Sequence, residues 1–281
     1  MMTNVKTIAF IGAGSMAEAL IAGMTKTLYK PEQIIVTNRS NNKRLEYIQK
    51  TYRVRIETNK EKAVKEADII ILAMKPKDVV EGITSIAPAI GKHQLIISVL
   101  AGVATETIIS LIEKNVAVVR AMPNTSAAIG QSATALALGR YANDKHLAIA
   151  KDLFRTVGAV TVVSEEDLHA VTALSGSGPA YIYYMVEAME KAAQEIGLEQ
   201  SIAKDLILQT IIGAAEMLKS SEKHPSILRK EVTSPGGTTE AGIKVLEDYH
   251  YQKAMISCIK QAAKRSRELG QSLLQLAKTH Q

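Results

Sequence analysis

Thr7-Ile-Ala-Phe-Ile-Gly-Ala-Gly-Ser-Met-Ala17 constrains the fold more than any other stretch of the chain. A short β-prone, apolar run leads into Gly12-Ala-Gly14-Ser-Met-Ala17, and a helical pattern of Leu20, Ile21 and Met24 follows. Strand, tight turn and helix in that order give a G-x-G-x-x-A pattern its meaning: it is the phosphate-binding turn of a dinucleotide site. Gly12 permits the turn. Gly14 has no Cβ to hold a pyrophosphate off the backbone, and Ala17 lets the helix lie close on the strand. The helix N-terminus presents free N–H groups and a positive dipole end to phosphates. Gly12, Ala13, Gly14, Ser15, Met16 and Ala17 are therefore the first candidate cofactor residues.

The rest of the N-terminal half repeats the alternation. Strands are expected at Gln33–Thr37, Asp68–Leu72, Leu95–Val99, Val116–Ala121, Ser132–Leu138 and Ala159–Val163. Helices are expected at Asn41–Tyr52, Asn59–Glu66, from Thr105 and over Lys145–Thr156. The unbroken apolar run Ile69-Ile-Ile-Leu72 suits a strand covered by helices on both faces. The pattern implies an α/β, Rossmann-type, doubly wound and mainly parallel sheet. After Glu165 no strand candidates of weight remain, and the sequence reads as helical to the end. The expected division is residues 1–164 as the NAD(P)-binding domain and 165–281 as a helical substrate-binding and dimerisation domain. Within the latter, Glu165-Glu-Asp167 reads as an acidic helix start. Leu206–Leu218 is apolar on nearly all sides and must be buried all round. A small helical domain has trouble hiding it alone, so a homodimer through these helices is expected.

The cofactor's second half is read at the end of the second strand. A site preferring NAD usually places an acid about twenty residues beyond the glycines, to bind the ribose 2′-hydroxyl. This chain has Asn38-Arg39-Ser40 there instead. Arg39 suits a 2′-phosphate, which an Asp would repel, so NADPH is expected with NADH weaker; the alternative is an ordinary exposed loop arginine. Ala73-Met-Lys75 ends the Asp68–Leu72 strand at the edge where open α/β sheets bind ligands. Lys75 is there either for a phosphate or ribose or as a solvated loop lysine.

Two glycine-rich stretches in the helical half need a reason. Leu174-Ser-Gly-Ser-Gly-Pro-Ala-Tyr181 and Ser234-Pro-Gly-Gly-Thr-Thr239 both read as loops opening onto helix N-termini. In the second, the amides of Gly236, Gly237 and Thr238 suit a carboxylate and the Thr239 hydroxyl a second substrate atom; plain helix capping by Ser and Thr is the alternative.

Other classes are disfavoured. The net charge of +6 is modest and dispersed, and the chain has no Trp and 2 Phe, so nucleic acid is not the expected partner. The histidines at 93, 146, 169, 224, 250 and 280 lack metal-ligand spacing, and no metal is expected. Leu174–Gly178 does not fit a hydrolase elbow in register. No apolar run reaches membrane-spanning length. A single cysteine, Cys258, and a short lead into the first strand point to a cytoplasmic protein. No strong acid/base pair stands out, which suits reduction of an imine, since a protonated C=N is already electrophilic.

Phe10–Ala17, Ala73–Pro76, Val119–Thr125, Ala173–Tyr181 and Glu231–Glu240, in this order and spacing, resemble pyrroline-5-carboxylate reductases over essentially the full length. The resemblance implies NADPH-dependent reduction of the cyclic imine 1-pyrroline-5-carboxylate to L-proline, the last step of proline biosynthesis. It also implies dimers interlocked through C-terminal helices, often assembled into decamers. By the same resemblance Gly12–Ala17, Asn38–Ser40 and Ala73–Lys75 would hold the cofactor, with Asn124 near the nicotinamide side. Gly236, Gly237 and Thr238 would take the substrate carboxylate through their backbone amides, with Ser234 also among the substrate-binding residues, and Thr239 would hydrogen-bond the ring nitrogen as the catalytic residue. Ser175 and the Gly176–Gly178 turn would form a wall of the pocket. Family patterns have a small residue where Thr238 stands, so its amide is the expected contact.

Two rivals remain. A β-hydroxyacid dehydrogenase shares the fingerprint, but its second-domain motif would put Lys and Asn where Ile182 and Val186 stand. A non-catalytic NADP sensor would have no need of the second anion seat at Ser234–Thr239.

Overall fold

A computed structural model describes residues 7–279; the short lead at residues 1–6 and His280 lie outside the described residues. The chain divides into two compact units, one running to Pro179 and resuming at Ala262, the other Ala180–Gln261.

The first unit is built on β1 (Ile8–Ile11), α1 (Ser15–Thr27), β2 (Ile34–Thr37), α2 (Asn42–Tyr52), β3 (Arg55–Ile56), α3 (Lys60–Lys65) and β4 (Ile69–Leu72). It continues through α4 (Val79–Thr84), β5 (Leu95–Ser98), α5 (Thr105–Ile112), β6 (Ala117–Met122), β7 (Ser132–Leu138), α6 (Asp144–Arg155) and β8 (Gly158–Val162). The strands form one sheet in the order β3-β2-β1-β4-β5-β6-β7-β8. All pairs are parallel except β6 with β7. The exception has a steric cause: the Pro123–Gln131 connection is shorter than the dozen or so residues a parallel crossover needs. The two-residue β3 was not expected, since Arg55 and Ile56 carry too short a pattern to read.

Period-two alternation sends side chains to both faces of the sheet. Ile8, Phe10, Ile69 and Ile71 enter one core with Leu20, Ile21 and Met24 of α1 and Leu153 and Phe154 of α6. Ala9, Ile11, Ile70 and Leu72 enter the other with Val64, Ile83 and Ile108. Helices on both faces explain why these strands read as continuous apolar runs.

The segment after β8 bears out one expectation, extends it, and corrects another. Glu165-Glu-Asp167 does lead into a helix, the short α7 (Leu168–Val171), with Asp167 as its N-cap but making no side-chain cap bond. Glu165 itself accepts from the Thr105 amide at 2.7 Å and the Thr105 hydroxyl at 2.6 Å, at the start of α5. It also pairs with Arg120 at 2.9 Å, whose side chain is 4% exposed. The acidic stretch thus serves two helix starts, Asp167 at α7 and Glu165 at α5. Leu174–Gly178 is not a loop: Thr172–Gly176 is a π-helical segment leading into α8 (Gly178–Glu195).

Past Pro179 the second unit contains the remainder of α8, then α9 (Gln200–Ser220), α10 (Pro225–Glu231), α11 (Thr238–Asp248) and the first turns of α12 (Tyr251–Thr279). Its own core is small: Ala193, Ala203 and Ile207, with Val186, Met189 and Ile211 beside them. Leu206, Leu208, Ile212 and Met217 of α9 are exposed. From Ala262 onward α12 belongs to the first unit, where Leu273 and Ala277 join the second sheet core. Among the described residues no helix is long and apolar enough to cross a membrane.

Candidate active site

The sheet order places the topological switch between β1 and β4, whose neighbours were built outward in opposite directions. Ile11 is in register with Thr37 of β2 and with Leu72 of β4, so three parallel strands end at one level. A cleft of about 700 Å³ opens there. Gly12, Ala13, Gly14, Ser15, Asn38, Arg39, Ser40, Ala73, Met74 and Lys75 all line it.

The glycine turn fits a dinucleotide phosphate. Gly12 has φ +113°, and a Cβ built there would stand 2.6 Å from the Ala73 carbonyl oxygen. The turn can therefore pass β4 only as glycine. Gly14 is the N-cap of α1, with no side-chain cap, and a Cβ there would meet nothing nearer than 4.0 Å. The opening above it is the space a bulkier residue would fill, at the amino end of a helix. The residues present thus fit the cofactor's pyrophosphate.

Met16 and Ala17 stand apart from the other fingerprint residues, because neither lines the cleft. Ala17 is fully buried against the sheet and Met16 packs beside the same core. Their side chains seat α1 on β1.

Side chains the sequence reading missed shape the cleft beside the glycine turn. Arg44 of α2 donates from Nε to the Ala13 carbonyl at 2.8 Å and bonds Glu18 of α1. Tyr52 donates to the other Glu18 oxygen at 3.0 Å. Burial pushes the Glu18 carboxyl up, but the hydrogen bonds from Arg44 and Tyr52 and the Arg44 charge outweigh it, leaving the group below the usual carboxylate range. The Tyr52 hydroxyl, buried and donating to that carboxylate, is pushed up to about 12. Asn41 caps α2 by accepting from the Arg44 amide at 3.0 Å, which fixes the helix turn that aims Arg44 at the glycine loop. Arg39 reaches across to the start of α4, 3.1 Å from Asp78 just before it and 3.0 Å from Glu81 in its first turn. Glu18, four residues past Gly14, was the one signal in the sequence that the fingerprint helix carries an acid into this cleft.

Asn124 lies elsewhere, at the end of β6 and outside the lining of that cleft. It is 8% exposed and its amide is fully engaged: Oδ1 accepts from Ser126 N at 3.1 Å and Nδ2 donates to the Ser175 carbonyl at 3.1 Å. A Cβ on Gly176 would come within 2.9 Å of Met122, so the Met122–Asn124 turn and the π segment are in close contact. Ser175 turns its hydroxyl back to the Val171 carbonyl at 3.2 Å.

In the second unit, Ser234–Thr239 does form the bend that opens α11. Gly236 adopts φ +73°, and Gly237 is the N-cap with no side-chain cap. The bend is closed by Gly237 N donating to the Ser234 carbonyl at 3.0 Å. Glu240 reaches back so that Gly236 N donates to its carboxylate at 2.8 Å. An internal carboxylate thus already sits on one of the amides assigned to a substrate carboxylate. Thr238 and Thr239 begin the helix with exposed side chains.

The comparisons with known proteins agree with this architecture. Residues 165–269 match the family model for pyrroline-5-carboxylate reductase dimerisation, and residues 7–102 match that for coenzyme F420-dependent NADP oxidoreductases. Pyrroline-5-carboxylate reductase 2 of Bacillus subtilis is 53% identical over 94% of this chain and 95% of its own length. The Arabidopsis thaliana pyrroline-5-carboxylate reductase is 37% identical over 94% and 96%. Among solved structures, the Coxiella burnetii enzyme superposes with a TM-score of 0.86 at 36% identity, covering 95% of this chain and 99% of its own. The Plasmodium falciparum enzyme, solved with NADP bound, gives 0.88 at 27% identity, covering 96% and 100%. This chain belongs to the pyrroline-5-carboxylate reductase family.

Proposed function

We infer that this chain reduces 1-pyrroline-5-carboxylate to L-proline with NAD(P)H, closing proline biosynthesis. The observation that carries the reading is the α11 bend: a helix opening on Gly236-Gly237-Thr238 without a side-chain cap, inside the stretch matched by the dimerisation model. When bound, the reduced nicotinamide supplies a hydride to the imine carbon. Gly12, Ala13, Gly14 and Ser15 hold the pyrophosphate, Asn38, Arg39 and Ser40 the adenosine ribose, and Ala73, Met74 and Lys75 the opposite wall. Arg39 favours NADPH, with NADH accepted more weakly. Asn124, by joining the β6 end to the π segment, keeps Ser175 in place on the nicotinamide side.

Ser234, Gly236, Gly237 and Thr238 take the substrate carboxylate, with Glu240 giving up its hydrogen bond to Gly236 as the substrate arrives. The Thr239 hydroxyl hydrogen-bonds the ring nitrogen and steadies it as it turns from imine to amine. Replacing Thr239 by Ala is expected to lower kcat at least tenfold while NADPH affinity stays within twofold. Unchanged turnover would remove Thr239 from the chemistry.

The working boundary between cofactor and substrate domains is placed at 164/165, supported by the family model that begins at residue 165. The assembly is a homodimer through the C-terminal helices, with a decamer as its higher form, and the site of action is the cytoplasm. The hydroxyacid-dehydrogenase reading receives no support from residue 182 or 186, which are Ile and Val.

A further inference from the structure

Arg39 is the cleft guanidinium that reaches across the binding groove. Arg44 is committed to the Ala13 carbonyl and Glu18 and lies against the Tyr47 ring, 5.3 Å from its centroid. Arg39, with a side chain 58% exposed, instead places Nη1 3.1 Å from Asp78 Oδ1 and 3.0 Å from Glu81 Oε2. Both acids line the same cleft from the far wall, Asp78 just before α4 and Glu81 in its first turn.

We propose that Asp78 and Glu81 are specificity-determining residues: they compete with the coenzyme's 2′-phosphate for Arg39 and so narrow the margin by which NADPH is preferred over NADH. The proposal rests on the reading that Arg39 meets the 2′-phosphate. A phosphate arriving there must displace two carboxylates from the guanidinium and then sit beside them, like charge against like charge. A free 2′-hydroxyl meets neither cost, and the two carboxylates offer it acceptors. NAD-preferring sites place such an acceptor at the end of the second strand. Here the second strand ends in Asn38-Arg39-Ser40, and the acids come instead from the β4–α4 connection (Asp78) and the first turn of α4 (Glu81). Their origin on another element explains why the sequence around Arg39 reads as purely phosphate-binding.

The test is calorimetric binding of adenosine 2′,5′-bisphosphate and of 5′-AMP to the full chain at fixed ionic strength. The variants are Asp78→Asn with Glu81→Gln, Arg39→Ala, and all three together. Asp78 makes no side-chain cap bond at the start of α4 that the change would break, and Asn is as well tolerated at that position. Removing both acids is expected to raise the bisphosphate-to-AMP affinity ratio about five-fold, the scale of one exposed ion pair. The gain should vanish when Arg39 is Ala. The NADPH-to-NADH ratio of kcat/KM should move in the same direction.

An unchanged or lowered ratio in the double variant overturns the proposal, and if Arg39→Ala still weakens the bisphosphate alone, the reading of Arg39 survives it. A gain that persists in the triple variant also overturns it, since competition for Arg39 would not be the cause. If Arg39→Ala leaves the bisphosphate untouched, the reading of Arg39 fails and the proposal with it.

Discussion

Gly12 and Gly14 stand two positions apart and answer to different constraints. Gly12 is required by the fold: its φ of +113° and the Ala73 carbonyl, 2.6 Å from where a Cβ would be, leave no room for alanine. Gly14 is not required by the fold, since its missing Cβ opens on the cleft rather than on protein, and its proposed constraint is the ligand. Gly12→Ala is therefore expected to cost about 2 kcal/mol or more of stability in a denaturant melt, the scale of backbone held in a disfavoured region. Gly14→Ala should melt as the parent does yet bind NADPH at least tenfold more weakly. Equal stability losses in the two variants would contradict this division. The turn at Gly12 was legible in the sequence, because it follows from the fingerprint and its strand–turn–helix setting. The pairing of Arg39 with Asp78 and Glu81 was not, since the partners lie some forty residues on and meet it only through the sheet order.

At the scale of elements, the sheet was readable and its long-range ties were not. Apolar runs such as Ile69–Leu72 announce strands because burial on both faces removes the polar alternation. Nothing local announces that β7 turns back antiparallel, that Glu165 caps α5, or that α12 returns to the first unit. Periodicity reports which residues are buried, but not against what. The α12 return rests on a close approach: Gly270 lies so near the Ala101-Gly102 turn that a Cβ would be 2.5 Å from the Gly102 carbonyl oxygen. Beside it His169 shares a 2.9 Å hydrogen bond with Ser266, and burial, then the Arg120 and Arg267 charges, hold its imidazole below the usual range. Gly270→Ala sets two effects against each other. Helix propensity favours alanine by about 1 kcal/mol, while forcing a methyl against backbone costs about 1–3 kcal/mol. The clash is expected to win, lowering Tm by several degrees in a thermal melt; a rise in Tm would show that α12 is not seated this closely.

At the scale of the whole molecule, α9 is the helix whose apolar surface the single chain leaves least covered. Its buried side is small, and Leu206, Leu208, Ile212 and Met217 lie open in the single chain. A helix apolar on nearly all sides needs a second surface, and the family model matched over 165–269 is a dimerisation model. Sedimentation at micromolar concentration should give at least twice the chain mass, and Ile212→Glu should shift it toward the monomer. A parent chain sedimenting as a monomer would contradict the dimer. Catalysis is the claim on which the rest converges, and it is tested most directly by following NADPH absorbance with purified chain and 1-pyrroline-5-carboxylate, with proline measured at the end. The account predicts one proline formed for each NADPH consumed, and no consumption without the imine. Full-length, folded chain that binds NADPH yet leaves both imine and absorbance unchanged would contradict it.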